Sequence, residues 1–557
     1  MKITTIPSVY RNVNRWGEIL TVLSKYGLAG WLSRFDVDFS KRWLKNRDGE
    51  SLAGMSNATR IRMALMELGP TFIKLGQILS TRPDLVGVEL ATELTHLQAD
   101  VRTDPADAVR RTIETELGES INDLFVDFED RPLASASIAQ VHRARLKTGE
   151  DVVVKVQHAG IQKKIRVDLE ILSGLAQLAE KHPDLANYRP RATVAEFKRT
   201  LRREMDFGRE ERNIQQFASD FDGDSTVRIP RVYSDYSTPR VLTLEFLDGI
   251  KLSQTELATA GRFDLNEIAR RGADLYLKMI FTHGFYHADP HPGNIMLLEG
   301  NTIGLIDFGM VGRLDEQLRM EIESLLLAIV DQESTQLTSI IMRLGETPPN
   351  LDTAGLSADV AEFVAYHGNV PMSDFDLGKA LREMTEIVRR YGIMLPARIA
   401  LLLKTLIMLD GTAQLADPKF SLIEALRPHQ RRLLRQRLSP VRRLKKIRRI
   451  AGEMERLVEV LPQRMIDLLG QMQSGKFDVH LDHRGLEPSV NRLVLGMLSS
   501  ALFLGSALML SMKVWPVVTV WGEDISVSGA VGMALSLFLG HRVLRAINKS
   551  GHLDRRG

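Results

Sequence analysis

Three residues in the segments YHADPHPGNIM (286–296) and LIDFGM (305–310) have the types and spacing to carry out phosphoryl-transfer chemistry. Asp289 is an acid suited to orient an attacking hydroxyl. Asn294, five positions on, offers an amide oxygen, and Asp307, thirteen positions further, offers a carboxylate. In kinase-type sites this order supplies the acid that acts on the nucleophile, an Asn that reaches a magnesium ion, and the Asp of a DFG that holds the metal bridging the nucleotide phosphates. A lone Asp-Phe-Gly carries little information, whereas the ordered pair points to a kinase-like Mg-nucleotide site. His287 and His291 flank Asp289, but Mg²⁺ prefers oxygen ligands. They read as residues that orient the loop, which Pro290, Pro292 and Gly293 stiffen and turn.

The gap from Asn294 to Asp307 fits a short hairpin of two strands that leaves the second Asp at a strand tip. Upstream, PLASASIAQVHRARL and EDVVVKVQ (150–157) have the alternating, β-branched look of paired strands joined by a Lys-Thr-Gly turn at 147–149. The alternation aims Lys155 into a cleft, where a lysine would bind nucleotide phosphates and pair with a helical Glu. The hairpin before it lies where a kinase carries its Gly-rich loop, yet it has no G-x-G-x-x-G. Ala134, Ser135, Ala136 and Ser137 allow close backbone approach but give up the positive φ that glycine permits. An ordinary protein kinase is therefore disfavoured. EFKRTLRREMDFGREERNIQQF (196–217) reads as one helix carrying Glu204, Asp206 and Glu210. On an ideal helix Glu204 and Asp206 lie about 200° apart, while Asp206 and Glu210 share a face. Spacing leaves open which of these carboxylates meets Lys155.

Further signals place the elements around this site. Residues 56–100 and 104–118 read as helices, the latter starting with Asp-Pro and closing with Gly. Strands are expected at 228–235 and 240–249, a long helix over 265–284, and mostly helices over 315–425, clearest at 315–331 and 395–413. Strands first and helices afterwards suggest a two-lobed α+β unit.

At 557 residues the chain needs more than one core. It has 44% hydrophobic and 26% charged residues, as folded proteins do. With no cysteine, disulfides, zinc fingers and iron–sulfur centres are excluded. The net charge of +3 is small for this length and does not by itself imply nucleic acid, but segment 427–449 holds eleven Lys or Arg and no acid. It reads either as a solvated helix face or as a segment drawn to anionic lipid headgroups; without interleaved aromatics, nucleic acid is a poor fit. LVLGMLSSALFLGSALMLSM (493–512) is twenty residues without a charge, long enough to cross about 30 Å of hydrocarbon, and 525–540 is a second, smaller-residue run. Arg492 precedes the first run and Arg542, Arg545 and Lys549 follow the second, so the positive-inside rule puts both ends on the cytoplasmic side. Small residues (Gly496, Ser499, Ser500, Gly505 and Ala507 against Gly529, Gly532 and Ala534) would let two membrane helices approach closely. Residues 1–50 read as amphipathic pieces that either lie on a membrane surface or pack on the body.

Four motifs in order, Lys74-Leu-Gly76-Gln77, the ASAS loop, Glu204-Met-Asp206 and the HADPHPGN–DFG pair, resemble those of the UbiB-like atypical kinases. This group, also called ADCK or aarF-domain proteins, is associated with ubiquinone biosynthesis. The motif resemblance spans roughly 50–330, and the terminal hairpin is similar to that of bacterial members. It implies that Lys74 and Gln77 form a KxGQ motif on a helical extension over the active site, and that Glu204 and Asp206 form an ExD motif facing that extension. It also implies that Glu210 pairs with Lys155, that Asp289 is the catalytic-loop acid, and that Asn294 and Asp307 bind Mg²⁺. One departure is Ser135, where the family loop often reads AAAS, which leaves adenine-nucleotide preference less firmly implied than nucleotide binding.

The expected organisation is an amphipathic segment at 1–50, the KxGQ extension at 51–128, a kinase-like domain at 129–425, a basic linker at 426–488 and a transmembrane hairpin at 489–545. The expected fold is α+β, two-lobed and protein-kinase-like. The expected activity is Mg-ATP hydrolysis coupled to isoprenoid-quinone biosynthesis at the bacterial inner membrane. The alternatives are phosphoryl transfer to a small lipid or isoprenoid acceptor, and a nucleotide-switched scaffold without turnover. Expected partners are anionic lipids, quinone precursors and quinone-biosynthesis proteins, with no nucleic acid.

Overall fold

The computed structural model describes residues 13–28, 55–97, 103–180, 189–254, 263–368, 375–426, 486–520 and 523–549. The chain divides into two compact units, Met1–Ser439 and Pro440–Gly557. The basic segment 427–449 lies outside the described residues.

The first unit opens with α1 (Val13–Lys25), α2 (Asn57–Leu68), α3 (Pro70–Leu79), α4 (Pro83–Val86) and α5 (Val88–Thr95). Of the two readings of the N-terminal stretch, packing on the body holds for α1, which buries Trp16, Ile19 and Val22 in the core that also holds Leu68 and Phe72. Its Arg15 donates from Nε to Asp168 Oδ1 at 2.7 Å and from Nη2 to the Leu68 carbonyl at 2.7 Å, while Thr71 Oγ1 donates to Asp168 Oδ2 at 2.6 Å. Gly69, at φ +94°, breaks the chain between α2 and α3, and Pro70 restarts it at a position where its missing N–H costs nothing. Gly76 has a packing reason. A Cβ there would lie 2.2 Å from Leu97 Cδ1 and 3.0 Å from Leu65 Cδ1, so only glycine lets α3 lie this close to both.

After α6 (Ala106–Leu117), closed by left-handed Gly118, and α7 (Ile121–Leu124) come the strands β1 (Phe125–Phe128), β2 (Ala134–Ser135), β3 (Ala139–Leu146) and β4 (Asp151–Gln157). Then follow α8 (Ile161–Ala179), α9 (Pro190–Glu204), α10 (Phe207–Asp220), β5 (Val227–Arg228), β6 (Val241–Glu245) and β7 (Ile250–Lys251). One sheet runs β1-β3-β4-β6 with β2 added to β3, all antiparallel. In β4, Val152, Val154 and Val156 are buried against Val109 and Ile113, and the pleat turns Lys155 to the opposite face.

Two expectations are corrected here. The helix expected across 196–217 is broken: α9 ends at Glu204, and Asp206 caps α10 by accepting from Gly208 N at 3.1 Å. An Asp side chain competes for backbone N–H groups and so favours a cap over a helix interior. Gln157 Nε2, donating to the Met205 and Pro239 carbonyls, holds the break open. The strand expected at 228–235 shrinks to Val227–Arg228, with an isolated bridge at Val232 and a 3₁₀ turn at Ser234–Tyr236. Pro230 cannot donate to a ladder, which ends the pairing.

Next come α11 (Leu265–Lys278), β8 (Phe285–His287), β9 (Ile295–Leu298), β10 (Thr302–Leu305) and β11 (Val311–Arg313). The expected hairpin is β9–β10, flanked by β5 and β7, and β8 pairs with β11 in a separate ribbon. The unit closes with α12 (Glu316–Val330), α13 (Ser334–Leu344), α14 (Thr353–Gly368), α15 (Leu377–Arg390) and α16 (Ala397–Ala416).

The second unit contains α17 (Leu486–Ser511), a β-hairpin of β12 (Val517–Val520) and β13 (Glu523–Ser526), and α18 (Val527–Lys549). Close approach of the two helices rests on fewer small residues than the sequence suggested. A Cβ on Gly532 would lie 2.2 Å from Ser506 Oγ and one on Gly529 2.9 Å from Leu510 N, whereas Gly496 and Gly505 have nothing within 4 Å. Ser499 Oγ adds a hydrogen bond to the Ser536 carbonyl at 2.8 Å.

Asp168 is fully buried and accepts from the Arg15 guanidinium, which also pairs with the exposed Glu18 at 2.7 Å. Asp168→Ala is expected to lower stability by about 1–3 kcal/mol, because it leaves Thr71 without its acceptor and Arg15 with only the exposed partner. Asp168→Asn should cost less, since it keeps an acceptor for Thr71. Thermal unfolding of both variants checks the order.

Candidate active site

The pleat of β4 and the first turn of α10 bring Lys155 and Glu210 together. Lys155 Nζ lies 2.8 Å from Glu210 Oε1 and 2.9 Å from Oε2, and 3.2 Å from Asp307 Oδ1. Burial works against the lysine's charge, but Asp307 and Glu210 more than offset it and hold its pKa well above the ordinary value. The Lys155 ammonium in turn keeps the Asp307 carboxyl far below the usual carboxylate range, against its own desolvation. Glu210 is buried at the base of the site, whereas the Asp307 side chain is 55% exposed and available to a ligand.

The loop after β8 carries Asp289 and Asn294. Asn294 Nδ2 donates to Asp289 Oδ2 at 2.8 Å and to the Asp289 carbonyl at 3.2 Å. His287, fully buried, sits beneath this loop. Its Nε2 faces the Asp307 carbonyl at 2.9 Å, and its Nδ1 lies 3.3 Å from both Tyr276 Oη and Asp289 N. The two partners of Nδ1 are donors and the partner of Nε2 is an acceptor, which assigns the proton to Nε2. The expectation that this histidine orients the loop therefore holds, and it does so by tying the loop to the DFG backbone. His291 does the same more locally, accepting from Gly293 N at 3.0 Å. Asp307 itself is left-handed at φ +60°, a conformation that costs energy for a residue with a Cβ and recurs at functional sites. Phe308 anchors it from below, fully buried and 5.3 Å from Phe217 and 5.4 Å from His287 between ring centroids. Asn213 Nδ2 donates to the Phe308 carbonyl at 3.1 Å.

The extension meets the site through the ion pair of Lys74 with Glu204. Lys74 Nζ lies 2.8 Å from Glu204 Oε2, and its pKa is raised because Glu204, Asp307 and Asp289 outweigh its burial. The other halves of the two motifs turn elsewhere. Gln77 Nε2 donates to the Leu97 carbonyl at 3.3 Å, within the extension itself. Asp206 serves as the cap of α10 and lies 3.8 Å from Arg212. In the ASAS loop, Ala134 and Ser135 pair with β3 and Ala136 N donates to the Ala139 carbonyl at 2.7 Å. No residue from 134 to 137 has a positive φ, in keeping with the absence of glycine there, and Ser137 is buried.

Sequence reasoning missed what α16 contributes. Thr405 Oγ1 donates to the Ala288 carbonyl at 3.2 Å and Thr412 Oγ1 to the Pro290 carbonyl at 2.8 Å, clamping the chain on both sides of Asp289. Lys404, beside Thr405, is set among Asp289, Lys74 and Glu204. The available signal was a lone lysine inside the apolar run LLLKTLIML (401–409).

The chain matches the ABC1 atypical kinase-like domain over residues 96–341, the UbiB helical domain over 360–421 and the ABC1/UbiB kinase-like C-terminal domain over 480–549. It is 33% identical to a protein named "Probable protein kinase UbiB" from Pseudomonas aeruginosa, over 74% of this chain and 78% of that one. It is also 30% identical to an uncharacterized protein of Synechocystis, over 98% of this chain and 92% of the relative. This chain belongs to the ABC1/UbiB atypical kinase-like family. A solved Mycobacterium tuberculosis protein in complex with erythromycin aligns with a TM-score of 0.46 at 24% identity, covering 65% of this chain and 92% of that one. The family match, with its ABC1 kinase-like and UbiB helical domains, makes the fold a mixed α+β, kinase-like one with added helical regions, and the kinase-like domain implies nucleotide binding. The matched kinase-like domain contains Lys155, Glu210, Asp289, Asn294 and Asp307, and the UbiB helical domain contains Lys404. Lys74 and Gln77 precede both.

His287→Phe keeps the ring volume but removes both hydrogen-bonding nitrogens and leaves the buried Tyr276 hydroxyl unpaired. A loss of about 1–3 kcal/mol in stability is expected, together with weaker nucleotide binding, because the Asp307 carbonyl loses its tether. Unfolding and equilibrium nucleotide binding measure the two effects.

Proposed function

We propose that this UbiB-family chain is a membrane-associated, Mg-ATP-dependent enzyme that hydrolyses ATP in support of isoprenoid-quinone biosynthesis. The observation that carries the reading is the bridge from Lys155 to Glu210 and Asp307, beside the Asp289–Asn294 pair. Lys155, held charged by two carboxylates, is suited to the nucleotide's α/β-phosphates. Asp289 is the residue placed to orient an attacking oxygen, and its link to Asn294 fixes where it points.

The donor set fits Mg²⁺. Among the described residues no group of three or more His, Cys, Asp or Glu side chains could hold a metal. Magnesium, however, uses one or two protein oxygens and takes its remaining ligands from phosphates and water. Asn294 Oδ1 and the free oxygen of Asp307 are such donors. When bound, the ion would neutralise charge on the nucleotide phosphates.

Water as acceptor is favoured over a protein side chain by the Lys74–Glu204 pair, which joins the extension to the site and narrows access for a large substrate. The quinone role rests on family membership. Membrane association is supported by α17 and α18: their apolar windows, Leu493–Ser511 and Val527–Arg545, are long and apolar enough to span a bilayer and only 11% buried in the protein. Basic residues at the outer flanks of this hairpin favour an inner-membrane protein with the kinase-like domain in the cytoplasm.

Full-length protein in anionic liposomes with Mg-ATP is expected to release phosphate, and Asp307→Asn is expected to fall to the background rate. Nucleotide binding without release by the wild-type protein would overturn the enzymatic reading in favour of a nucleotide-switched scaffold. Removal of 486–549 is expected to move the chain from the membrane to the soluble fraction; retention on membranes would assign the attachment to another segment.

A further inference from the structure

The catalytic loop from Asp289 to Asn294 contains no lysine or arginine. The terminal phosphoryl group of a nucleotide carries the charge that moves during transfer, and sites for this chemistry place cations around it. Two of the site's lysines are already committed. Lys155 is held by Glu210 and Asp307, and Lys74 is held by Glu204.

Lys404 is different. It makes no hydrogen bond or ion pair to another described residue, although its neighbour Thr405 is bonded to the residue before Asp289. Thr412, two turns further along α16, is bonded to the residue after Asp289, so the helix is fixed in register with the loop. The charged groups that act on Lys404 are Asp289, Lys74 and Glu204, all members of the site. α16 is a core helix rather than a membrane span: 56% of its apolar window is buried in the protein, and its threonines bond the loop. An ammonium placed in such surroundings without a partner is costly, and burial pushes its pKa down. Its position is explained if a ligand completes the pairing.

We infer that Lys404 binds the terminal phosphate of the nucleotide, supplying from α16 the positive charge that the catalytic loop lacks. The inference rests on the nucleotide reading above and assigns the γ-phosphate end of the ligand to the Asp289–Lys404 side of the site. The α- and β-phosphates fall to Lys155. Lys404 is then a substrate-contacting residue, and the UbiB helical domain becomes part of the active site.

The test is equilibrium binding to the full-length protein in detergent, using the Mg²⁺ complexes of ADP and of a non-hydrolysable ATP analogue with an imido bridge between the β- and γ-phosphates. Lys404→Met removes the charge at similar volume. It is expected to weaken binding of the analogue by at least about tenfold, the effect of one charge-assisted hydrogen bond, and to leave ADP within about twofold. The ligand-free variant should melt no lower than the wild type, because a half-buried charge without an ion-pair partner is gone. Lys404→Arg should restore most of the analogue's affinity. Equal losses for both nucleotides, or no loss for the analogue, overturn the assignment to the terminal phosphate. A wild-type protein that binds neither nucleotide sinks the nucleotide reading as well, whereas one that binds both with Lys404→Met unaltered sinks this inference alone.

Discussion

The contact between Lys155 and its two carboxylates is the constraint on which the rest of the site depends. Three separate elements must meet for it to form: the pleat of β4, the first turn of α10 and the left-handed residue beyond β10. Each is held from behind by apolar packing. Val154 and Val156 fix the face that Lys155 presents, Phe207 and Ile214 seat α10, and Phe308 anchors the strained backbone at Asp307. A lysine this enclosed stays protonated only because two carboxylates face it. Removing Glu210 would leave the enclosed Lys155 with only the half-exposed Asp307 against it.

The broken helix gives the site a second ion pair. In a continuous helix Glu204 and Glu210 would be about 240° apart, and no single approach could serve both. The interruption at Met205 and Asp206 re-aims the chain, so that Glu204 closes on Lys74 of the extension while Glu210 closes on Lys155 of the sheet. One short segment thereby connects the extension and the β-sheet to a common set of carboxylates. The two lysines pair the buried glutamates, and the Asp307 side chain stays 55% exposed beside them. Among the site's described lysines, Lys404 has no ion pair of its own, unlike Lys74 and Lys155.

Much of this was legible in the sequence because it depends on local spacing. Alternation in DVVVKVQ determined which face Lys155 occupies, the interval between Asn294 and Asp307 matched a hairpin, and the Asp-Pro and Gly signals bounded α6. The carboxylates on α9 and α10 were assigned less well. Propensity alone favours helix through Met205, and the break depends on Gln157, a residue about 50 positions earlier in the chain, reaching the Met205 carbonyl. Gln77 was expected at the site from its motif, yet it satisfies the Leu97 carbonyl instead. Lys404 lay outside the reach of spacing because the charges around it come from the catalytic loop, α9 and the extension, and nothing local to LLLKTLIML indicates that it faces them.

The comparison of α16 with the terminal helices shows why apolar length alone does not specify a membrane segment. All three are long and apolar enough to span a bilayer, but 56% of the α16 window is buried by the protein and only 11% of each terminal window is. The polar residues make the same distinction. In α16, Thr405 and Thr412 bond carbonyls of the catalytic loop, Lys404 stands among charged groups and Asp410 accepts from Gly378 N, so its polar positions are engaged by the rest of the protein. In α17 and α18, part of the serines and glycines serve contact between the two helices themselves, as at Ser499 with Ser536 and Ser506 with Gly532. Backbone satisfied within the pair and apolar side chains directed outward is what hydrocarbon demands. A helix whose polar residues serve an active site has no such outward face, and its hydrophobicity is that of a core.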